Sequence, residues 1–498
     1  MISPDDKYNQ DLVNLVHPPG WENPRPQGRY DLVVIGGGTA GLVSAAGAAG
    51  LGAKVALIEK HLLGGDCLNT GCVPSKSLIA AARRVHAVRT ASKLGVRISE
   101  PIEVDFPTIM ERMRAQRSHI AHHDSAARFQ GLGVDVFLGD AAFADDGQSV
   151  VVNDVPISFW KAVVCTGARA HVPDIPGLAA VGYLTNETLF SLTEQPRRLA
   201  VIGGGPIGCE MAQAFARFGT NVTLFEGGPR ILSRDDAQAS ELVAQSMTND
   251  GVEILFQCRV ERVSQEEDGK VITARGANGE LLERSFDEIL VAVGRTPNIE
   301  GLNLTAMGVE TSKTGIVVND YLQTTNRQVY AAGDICSPYK FTHAADHQAR
   351  VVIQNALFFG RRRASGLVVP RVTFTDPELA AVGRTGQEAA DDPALTAWTV
   401  DLGAIDRGRT DGDAGFFRVW ADGRGRIHGA TVVGPHAGEL LAPVTLAMTH
   451  GLRLSHVAST VHAYPTRSEA LARIAGDHRK ATLHPWVRAV LGWIARTS

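Results

Sequence analysis

The chain is 498 residues long, 44% apolar and 20% charged, with a formal net charge of −4. That length exceeds one ordinary core and predicts two to four domains, and the apolar and charged shares are those of a soluble globular enzyme. The near balance of charge, with no long basic run, argues against a nucleic-acid partner.

The opening Met1-Ile-Ser-Pro-Asp-Asp lacks the basic-then-apolar order of a signal peptide. No apolar stretch is long and charge-free enough to span a bilayer, so the expected compartment is the cytoplasm. Residues 1–29 are polar and interrupted by Pro18, Pro19, Pro24 and Pro26, and read as an extended arm. Residues 31–35 predict a short buried strand, 36–41 a turn, 40–51 a helix of small residues and 54–58 a second strand. The cassette recurs as a strand over 198–202, a turn over 203–208, a helix to residue 218 and a strand over 221–225. Gly36 to Glu59 and Gly203 to Glu226 span the same interval of 23 residues. The chain is therefore expected to be α/β with two Rossmann-type units.

In Gly36-Gly-Gly-Thr-Ala-Gly41 the first glycine permits a tight turn. Gly38 lets the backbone approach a pyrophosphate, and Gly41 lets helix and strand pack closely. The helix N-terminus then offers free N–H groups and a positive dipole end to the phosphates. Glu59 ends the second strand, where a carboxylate can accept from a ribose diol. Gly203, Gly205, Gly208 and Glu226 repeat these roles. A single fingerprint is weak evidence; two at identical spacing outweigh the bland reading of glycine-rich connectors. Glu226 would repel a 2′-phosphate, which favours NADH over NADPH. Arg230 is read as a surface or capping residue.

Between the cassettes stands Leu63-Gly-Gly-Asp-Cys-Leu-Asn-Thr-Gly-Cys-Val-Pro-Ser-Lys76. Of the six cysteines only Cys67 and Cys72 are close, which is neither a disulfide framework nor a zinc ribbon, and no metal site is expected. On an ideal helix residues i and i+5 are turned by about 500° and separated by about 7.5 Å along the axis. A disulfide needs Cα atoms within about 7 Å, so the two can join only if the helix start is distorted. Gly64, Gly65, Gly71 and Pro74 supply that freedom. The loop is too small to stabilise much, so the bridge makes more sense as a reversible electron store than as a staple. A helix N-terminus and Lys76 favour the thiolate. The bland alternative is a pair of buried free cysteines.

With these motifs in view, the chain resembles the flavin-dependent pyridine nucleotide–disulfide oxidoreductases, among them dihydrolipoamide dehydrogenase, glutathione reductase and mercuric reductase. The resemblance runs from about Tyr30 to Ala475. It rests also on Val164-Cys-Thr-Gly167, Gly294-Arg-Thr-Pro-Asn298, Ala331-Ala-Gly-Asp334, Thr375-Asp-Pro-Glu378 and Tyr464-Pro-Thr466 with Glu469. It implies FAD and NAD as cofactors and a homodimer whose C-terminal domain completes the partner's active site. It implies an FAD domain over 30–170 and 299–366, an NAD(P) domain over 171–298, an α+β dimerisation domain over 367–480 and an amphipathic tail over 481–498. Cys67 would exchange with substrate, Cys72 would lie against the flavin, and Lys76 would sit near flavin N5, paired with Glu210. Asp334 would bind the ribityl chain with Gly333 allowing its approach, and Thr342 would lie near the pyrimidine edge. Gly65, Asp66, Thr166, Gly167, Gly294, Arg295 and His343 complete the expected cofactor set.

One departure limits what the resemblance implies. Dihydrolipoamide dehydrogenase and glutathione reductase carry His-Pro-Thr-x-x-Glu near the C-terminus, the histidine being their general acid–base. Here Tyr464 takes that position, and His462 matches an earlier histidine that is not the base. A phenol has a reference pKa of about 10 against about 6.5 for imidazole, so Tyr464 is suited to donating a hydrogen bond or lining a pocket. Mercuric reductases are similar here and at Gln213-Ala-Phe-Ala216. They also carry a late vicinal cysteine pair, whereas no cysteine follows Cys336. The acceptor stays open among a small disulfide, a lipoyl group and a metal ion. The reverse, NAD-reducing reaction of dihydrolipoamide dehydrogenase and a redox sensor without turnover stay open too. Cys165, Cys209, Cys258 and Cys336 are read as packing residues, and the tail as packing on its own dimer.

Overall fold

A computed structural model of the chain describes residues 2–99, 102–483 and 485–497. Met1 of the N-terminal extension and His484 and Ser498 of the tail lie outside the described residues. Two compact units form, one from residues 1–227 with 258–367 and the other from 228–257 with 368–498.

In the first unit, helix α1 (Lys7–Val16) precedes strand β1 (Tyr30–Ile35), helix α2 (Thr39–Gly50), strand β2 (Val55–Glu59), and helices α3 (Gly65–Asn69), α4 (Cys72–Thr90) and α5 (Phe106–Ile120). Then come β3 (Val134–Leu138), β4 (Val155–Val164), β5 (Arg198–Ile202), α6 (Pro206–Phe218), β6 (Asn221–Phe225), β7 (Glu288–Val291), β8 (Val329–Ala331) and α7 (Thr342–Leu357). Strands run parallel in the order β3–β2–β1–β4–β8, with Val34 level with both Leu57 and Val163. The period of two along a strand sends alternate side chains to opposite faces. Leu32, Val34, Val55 and Leu57 enter one core, while Val33, Ile35, Ala56 and Ile58 enter another. Both faces are covered, so these strands read as continuous apolar runs. Helix α2 is made of small residues because α7 packs on it: a Cβ at Gly47 would stand 2.6 Å from Ile353 Cδ1.

The second parallel group, β6–β5–β7, repeats the first cassette, with Ile202 level with Phe225 and Val291. The motifs singled out in the sequence follow the carboxyl ends of strands. Gly36 follows β1, Thr166 follows β4, Gly203 follows β5, Gly294 follows β7 and Asp334 follows β8. This edge is where open α/β sheets bind ligands.

The second unit is built on an antiparallel sheet of β9 (Pro370–Thr373), β10 (Glu378–Gly383), β11 (Leu395–Asp401), β12 (Phe416–Asp422) and β13 (Ile427–Gly434), in the order β9–β10–β13–β12–β11. Helices α8 (Ala437–Thr449) and α9 (Glu469–Thr482) contribute Leu441, Val444, Leu471 and Ile474 to its core. Residues 228–257 belong to this unit: Asp235 pairs with Arg371 and Asp236 with Arg418, each at 2.7 Å. The tail forms helix α10 (Pro485–Thr497). No helix among the described residues is long and apolar enough to cross a membrane.

The extended-arm expectation for residues 1–29 needs correction. Asp6 accepts from Asn9 N at 2.9 Å and caps α1, whose Leu12 and Val16 are fully buried. The four prolines all follow this helix and break only what comes after it. Beyond them Trp21 Nε1 donates to Val136 O, and Asn23 exchanges two hydrogen bonds with Leu138, so the segment covers the open edge of β3.

The second and third fingerprint glycines are constrained differently. A Cβ at Gly41 would lie 1.8 Å from Gly36 O, whereas one at Gly38 would meet nothing nearer than Gly65 Cα at 3.7 Å. Gly41→Ala should therefore fail to give soluble folded protein. Gly38→Ala should fold with a wild-type circular dichroism spectrum yet lose its flavin on gel filtration. Retention of flavin by Gly38→Ala would show that no phosphate approaches that turn.

Candidate active site

Each nucleotide cradle is held by its own acid before any ligand enters. Glu59 Oε2 accepts from Gly37 N at 2.6 Å and Oε1 from His61 N at 2.7 Å, and Glu226 Oε2 accepts from Gly204 N at 2.7 Å. Gly36 and Gly203 have φ of +105° and +106°, a region that side chains avoid. Gly38 and Gly205 cap their helices with no side-chain hydrogen bond, which leaves the helix N–H groups to a ligand. A carboxylate oxygen has a further lone pair for a ribose hydroxyl. Gly65, at φ +56°, packs its Cα against Gly38, where a Cβ would stand 2.6 Å away. The cradle and the cysteine loop are thus one surface. These features fit a dinucleotide with its pyrophosphate on the turn.

Around the first cradle the remaining motifs converge. Thr166 and Asn298 exchange hydrogen bonds of 2.8 and 2.9 Å, and Asn298 N donates to Gly167 O. Gly333, at φ +85°, donates its N–H to Gln348 Oε1 at 2.8 Å. Arg295 bridges two acids, donating to Asp66 and lying 3.2 Å from Asp334. Burial pushes the Asp334 carboxyl above its ordinary range. Gly294 has φ +132° and has open space around its α-carbon. His343 stacks on Phe341 at 5.4 Å between centroids.

The cysteine loop is broken where the sequence required it to be. Cys67 lies in α3, Thr70 and Gly71 interrupt, and Cys72 opens α4. Neither cysteine is in a disulfide. The Cys72 sulfur lies 3.4 Å from Oγ1 of Thr342, the first residue of α7. Two helix N-termini therefore meet at this sulfur, and Lys76 stands one turn along α4. Lys76 Nζ is held by Glu210 Oε2 at 2.8 Å. The pair of sulfurs shares one proton. The hydrogen bond from Cys67, then Thr342 and Lys76, bring Cys72 down to about 6 against the cost of burial. The Cys72 thiolate and burial push Cys67 up. Cys72 is accordingly the thiolate at neutral pH and Cys67 the protonated partner.

In the second unit, Tyr464 is 71% exposed and donates its hydroxyl to Asp406 Oδ2 at 2.9 Å. That bond holds the phenol above the usual tyrosine value. Glu469 is taken by Arg473 at 2.6 Å, and its Oε2 is buried with no hydrogen-bond partner. His462 Nε2 lies 3.4 Å from Val457 O. The remaining cysteines pack rather than react: Cys209 donates to Gly204 O at 3.3 Å, and burial pushes Cys165 and Cys258 up and Cys336 to about 12. Arg230 donates to Ser233 O at 2.6 Å. Among the described residues no group of His, Cys, Asp or Glu could hold a metal ion. Asp406, Gln348 and the bridging role of Arg295 were not foreseen. Each acts across more than fourteen residues of sequence, where no local pattern carries the information.

The thiolate assignment has a pH signature. In Cys67→Ser a hydroxyl still donates to Cys72, so alkylation of Cys72 by iodoacetamide should rise with pH through a midpoint well below the ordinary thiol value of about 8.5. Cys67→Ala removes the leading stabiliser and should raise that midpoint by about one unit or more. Equal midpoints would remove Cys67 as the cause.

Comparison with known proteins accords with this geometry. Residues 30–349 match the pyridine nucleotide-disulphide oxidoreductase model and residues 369–475 the dimerisation domain of the same group. The chain is 34% identical over 448 residues to a mercuric reductase of Lysinibacillus sphaericus, covering 89% of this chain and 81% of that one. It is 33% identical over 450 residues to a dihydrolipoyl dehydrogenase of Geobacillus stearothermophilus, covering 88% and 94%. A Cu(II) complex of the HOCl-induced flavoprotein disulfide reductase RclA from Escherichia coli superposes with a TM-score of 0.79 at 29% identity, covering 89% and 99%. The chain belongs to the pyridine nucleotide-disulphide oxidoreductases, an FAD- and NAD(P)-binding family of enzymes.

Proposed function

We propose that the enzyme is a cytosolic, homodimeric NADH-dependent reductase whose acceptor is a thiophilic metal ion. The observation that carries this reading is Tyr464, hydrogen-bonded to Asp406 and raised in pKa. A disulfide acceptor must have a proton delivered to its leaving thiolate, and a dithiol donor must lose one; an imidazole does either at neutral pH, and this phenol does neither. A soft metal ion needs no such group, because it displaces the Cys67 thiol proton to solvent as it binds that sulfur, with the Cys72 thiolate already beside it. A mercuric reductase and a Cu(II) complex among the relatives support the same class.

The cradle of Gly36, Gly38, Gly41 and Glu59, with Gly65, Asp66, Thr166, Gly167, Arg295, Gly333, Asp334, Thr342 and His343, would hold FAD. When bound, FAD supplies the two-electron relay between NAD(P)H and the dithiol. Gly203, Gly205, Gly208, Glu226 and Gly294 would hold the nicotinamide nucleotide. Lys76 and Glu210 fix a positive charge beside Cys72. Cys67 is the sulfur that meets the acceptor, with Tyr464 of the partner subunit beside it. In the closing step a Cys67–Cys72 bond forms and two electrons leave the sulfurs. They reduce one Hg(II) to Hg(0) or two Cu(II) to two Cu(I), and the thiol proton goes to solvent. NADH regenerates the dithiol, so the balance is NADH plus one Hg(II), or two Cu(II), giving NAD⁺, one proton and the reduced metal.

NADH oxidation should be measured with Hg(II), Cu(II), lipoamide, glutathione disulfide and quinones. Turnover with a metal ion and not with lipoamide is expected; the reverse would assign the dihydrolipoamide reaction, and none with normal flavin reduction would assign a sensor. Tyr464→His should raise lipoamide turnover at least about tenfold, within the range ordinary for general acid–base catalysis. Glu469 Oε2 is the open acceptor such an imidazole needs. No gain in a folded, flavin-loaded variant would refute the proton argument. Glu226→Ala should raise the NADPH-to-NADH ratio of kcat/KM about tenfold by removing the repulsion of a 2′-phosphate; an unchanged ratio would place the ribose elsewhere.

A further inference from the structure

Helix α1 lies outside the residues that match the family, yet it reaches the redox loop at two points. At the loop's front, Val16 O at the end of α1 accepts from Leu63 N at 3.2 Å. At its back the contact runs through Arg117 of α5. Arg117 Nη2 donates to Asn9 Oδ1 of α1 at 2.5 Å, and Nη1 donates to Asn69 O, the last residue of α3, at 2.8 Å. Asn69 in turn donates its side-chain amide to Leu63 O and Gly65 O at 3.1 and 2.9 Å. Arg117 and Asn9 are each 3% exposed. The neighbouring Arg114 pairs with Asp6, the cap of α1, at 2.5 Å.

A buried guanidinium is costly unless its donors are satisfied. Arg117 meets that need in part, giving Nη1 to one carbonyl of the redox loop and Nη2 to one side chain of α1, while its Nε is buried with no hydrogen-bond partner. It also meets a need of α3, whose terminal carbonyl has no partner within so short a helix and favours a cation. The break at Thr70 and Gly71 that brings Cys67 toward Cys72 begins at this carbonyl. Fixing Asn69 O therefore fixes where α3 ends and how Cys67 is presented.

We propose that α1 is a clamp on the redox dithiol and that Arg117, held by Asn9, is a positioning residue for Cys67. Its action is to set the equilibrium between dithiol and disulfide. The inference goes beyond the choice of acceptor and does not depend on it.

The test uses the flavin-loaded full chain with Asn9→Leu, Asn9→Asp and Arg117→Lys. The disulfide fraction of Cys67–Cys72 is read by mass spectrometry after equilibration in dithiothreitol redox buffers. Leucine removes the acceptor at constant size and aspartate restores it. Asn9→Leu and Arg117→Lys should shift the equilibrium constant about tenfold, about 30 mV for this two-electron couple, while Asn9→Asp stays near wild type. The KM for NADH should stay within about twofold. A fall in melting temperature with an unchanged equilibrium constant would reduce α1 to a stabilising element and overturn the proposal. An equal shift in Asn9→Leu and Asn9→Asp would overturn it as well. If Arg117→Lys does not fold, the two Asn9 variants decide.

Discussion

The constraint on which the site depends is the negative charge held on the Cys72 sulfur. A thiolate needs compensation, and here the largest share is the hydrogen bond from Cys67, followed by Thr342 and Lys76. Cys72 begins one helix and Thr342 begins another, and the Thr342 hydroxyl lies 3.4 Å from the Cys72 sulfur. Lys76 adds a full charge, but Glu210 at 2.8 Å offsets much of it. The ion pair therefore acts less as a source of field than as a fixed strut, keeping an ammonium near the sulfur without collapsing onto it. Cys67 gives the leading stabilisation, its proton lying between its own sulfur and the thiolate it must later join. The arrangement gives one charge and one proton across two sulfurs, which is the state from which either oxidation or metal binding can begin.

The same economy governs the nucleotide cradles. Glu59 and Glu226 each accept from a turn N–H, so the acid that is suited to a ribose also sets the shape of the turn. Such preorganisation means that little ordering remains to be done when a ligand arrives. It also ties the cradle to the dithiol. Gly65 rests on Gly38 with no room for a Cβ, so a shift in one would move the other. The spacing between the Gly36–Gly41 turn and the cysteine loop is thereby fixed by backbone against backbone, the least compliant contact available.

Why the repeat was legible and the arm was not follows from range. The two cassettes are local: glycines, apolar runs and an acid at one interval, each dictated by a turn that tolerates no Cβ. The strand over 198–202 and that over 221–225 came out with the expected bounds for this reason. The break between Cys67 and Cys72 was also legible, because helix geometry alone forbids their meeting otherwise. Helix α1 was obscured by prolines that follow it, although Asp6 ahead of an apolar-spaced run was a readable cap. Arg295 between Asp66 and Asp334 had no such signal. Its partners lie far away in sequence, and a charged residue in a Gly-Arg-Thr-Pro-Asn segment does not announce which acids it will find.

Tyrosine rather than histidine at position 464 is a difference of chemical class rather than of efficiency. An imidazole near neutrality moves protons in both directions, which thiol–disulfide exchange requires at every turnover. A phenol held by Asp406 has its proton fixed more tightly than in water, so it can only donate a hydrogen bond. Glu469, free of any histidine, turns instead to Arg473 and leaves one oxygen unpaired. The C-terminal motif holds a carboxylate with an open oxygen and a phenol, with no imidazole at position 464. What remains fully equipped is the sulfur end of the reaction, where a thiolate is already present and a second thiol stands beside it. A site of that composition handles an acceptor that binds sulfur and takes electrons better than one that must be protonated on leaving.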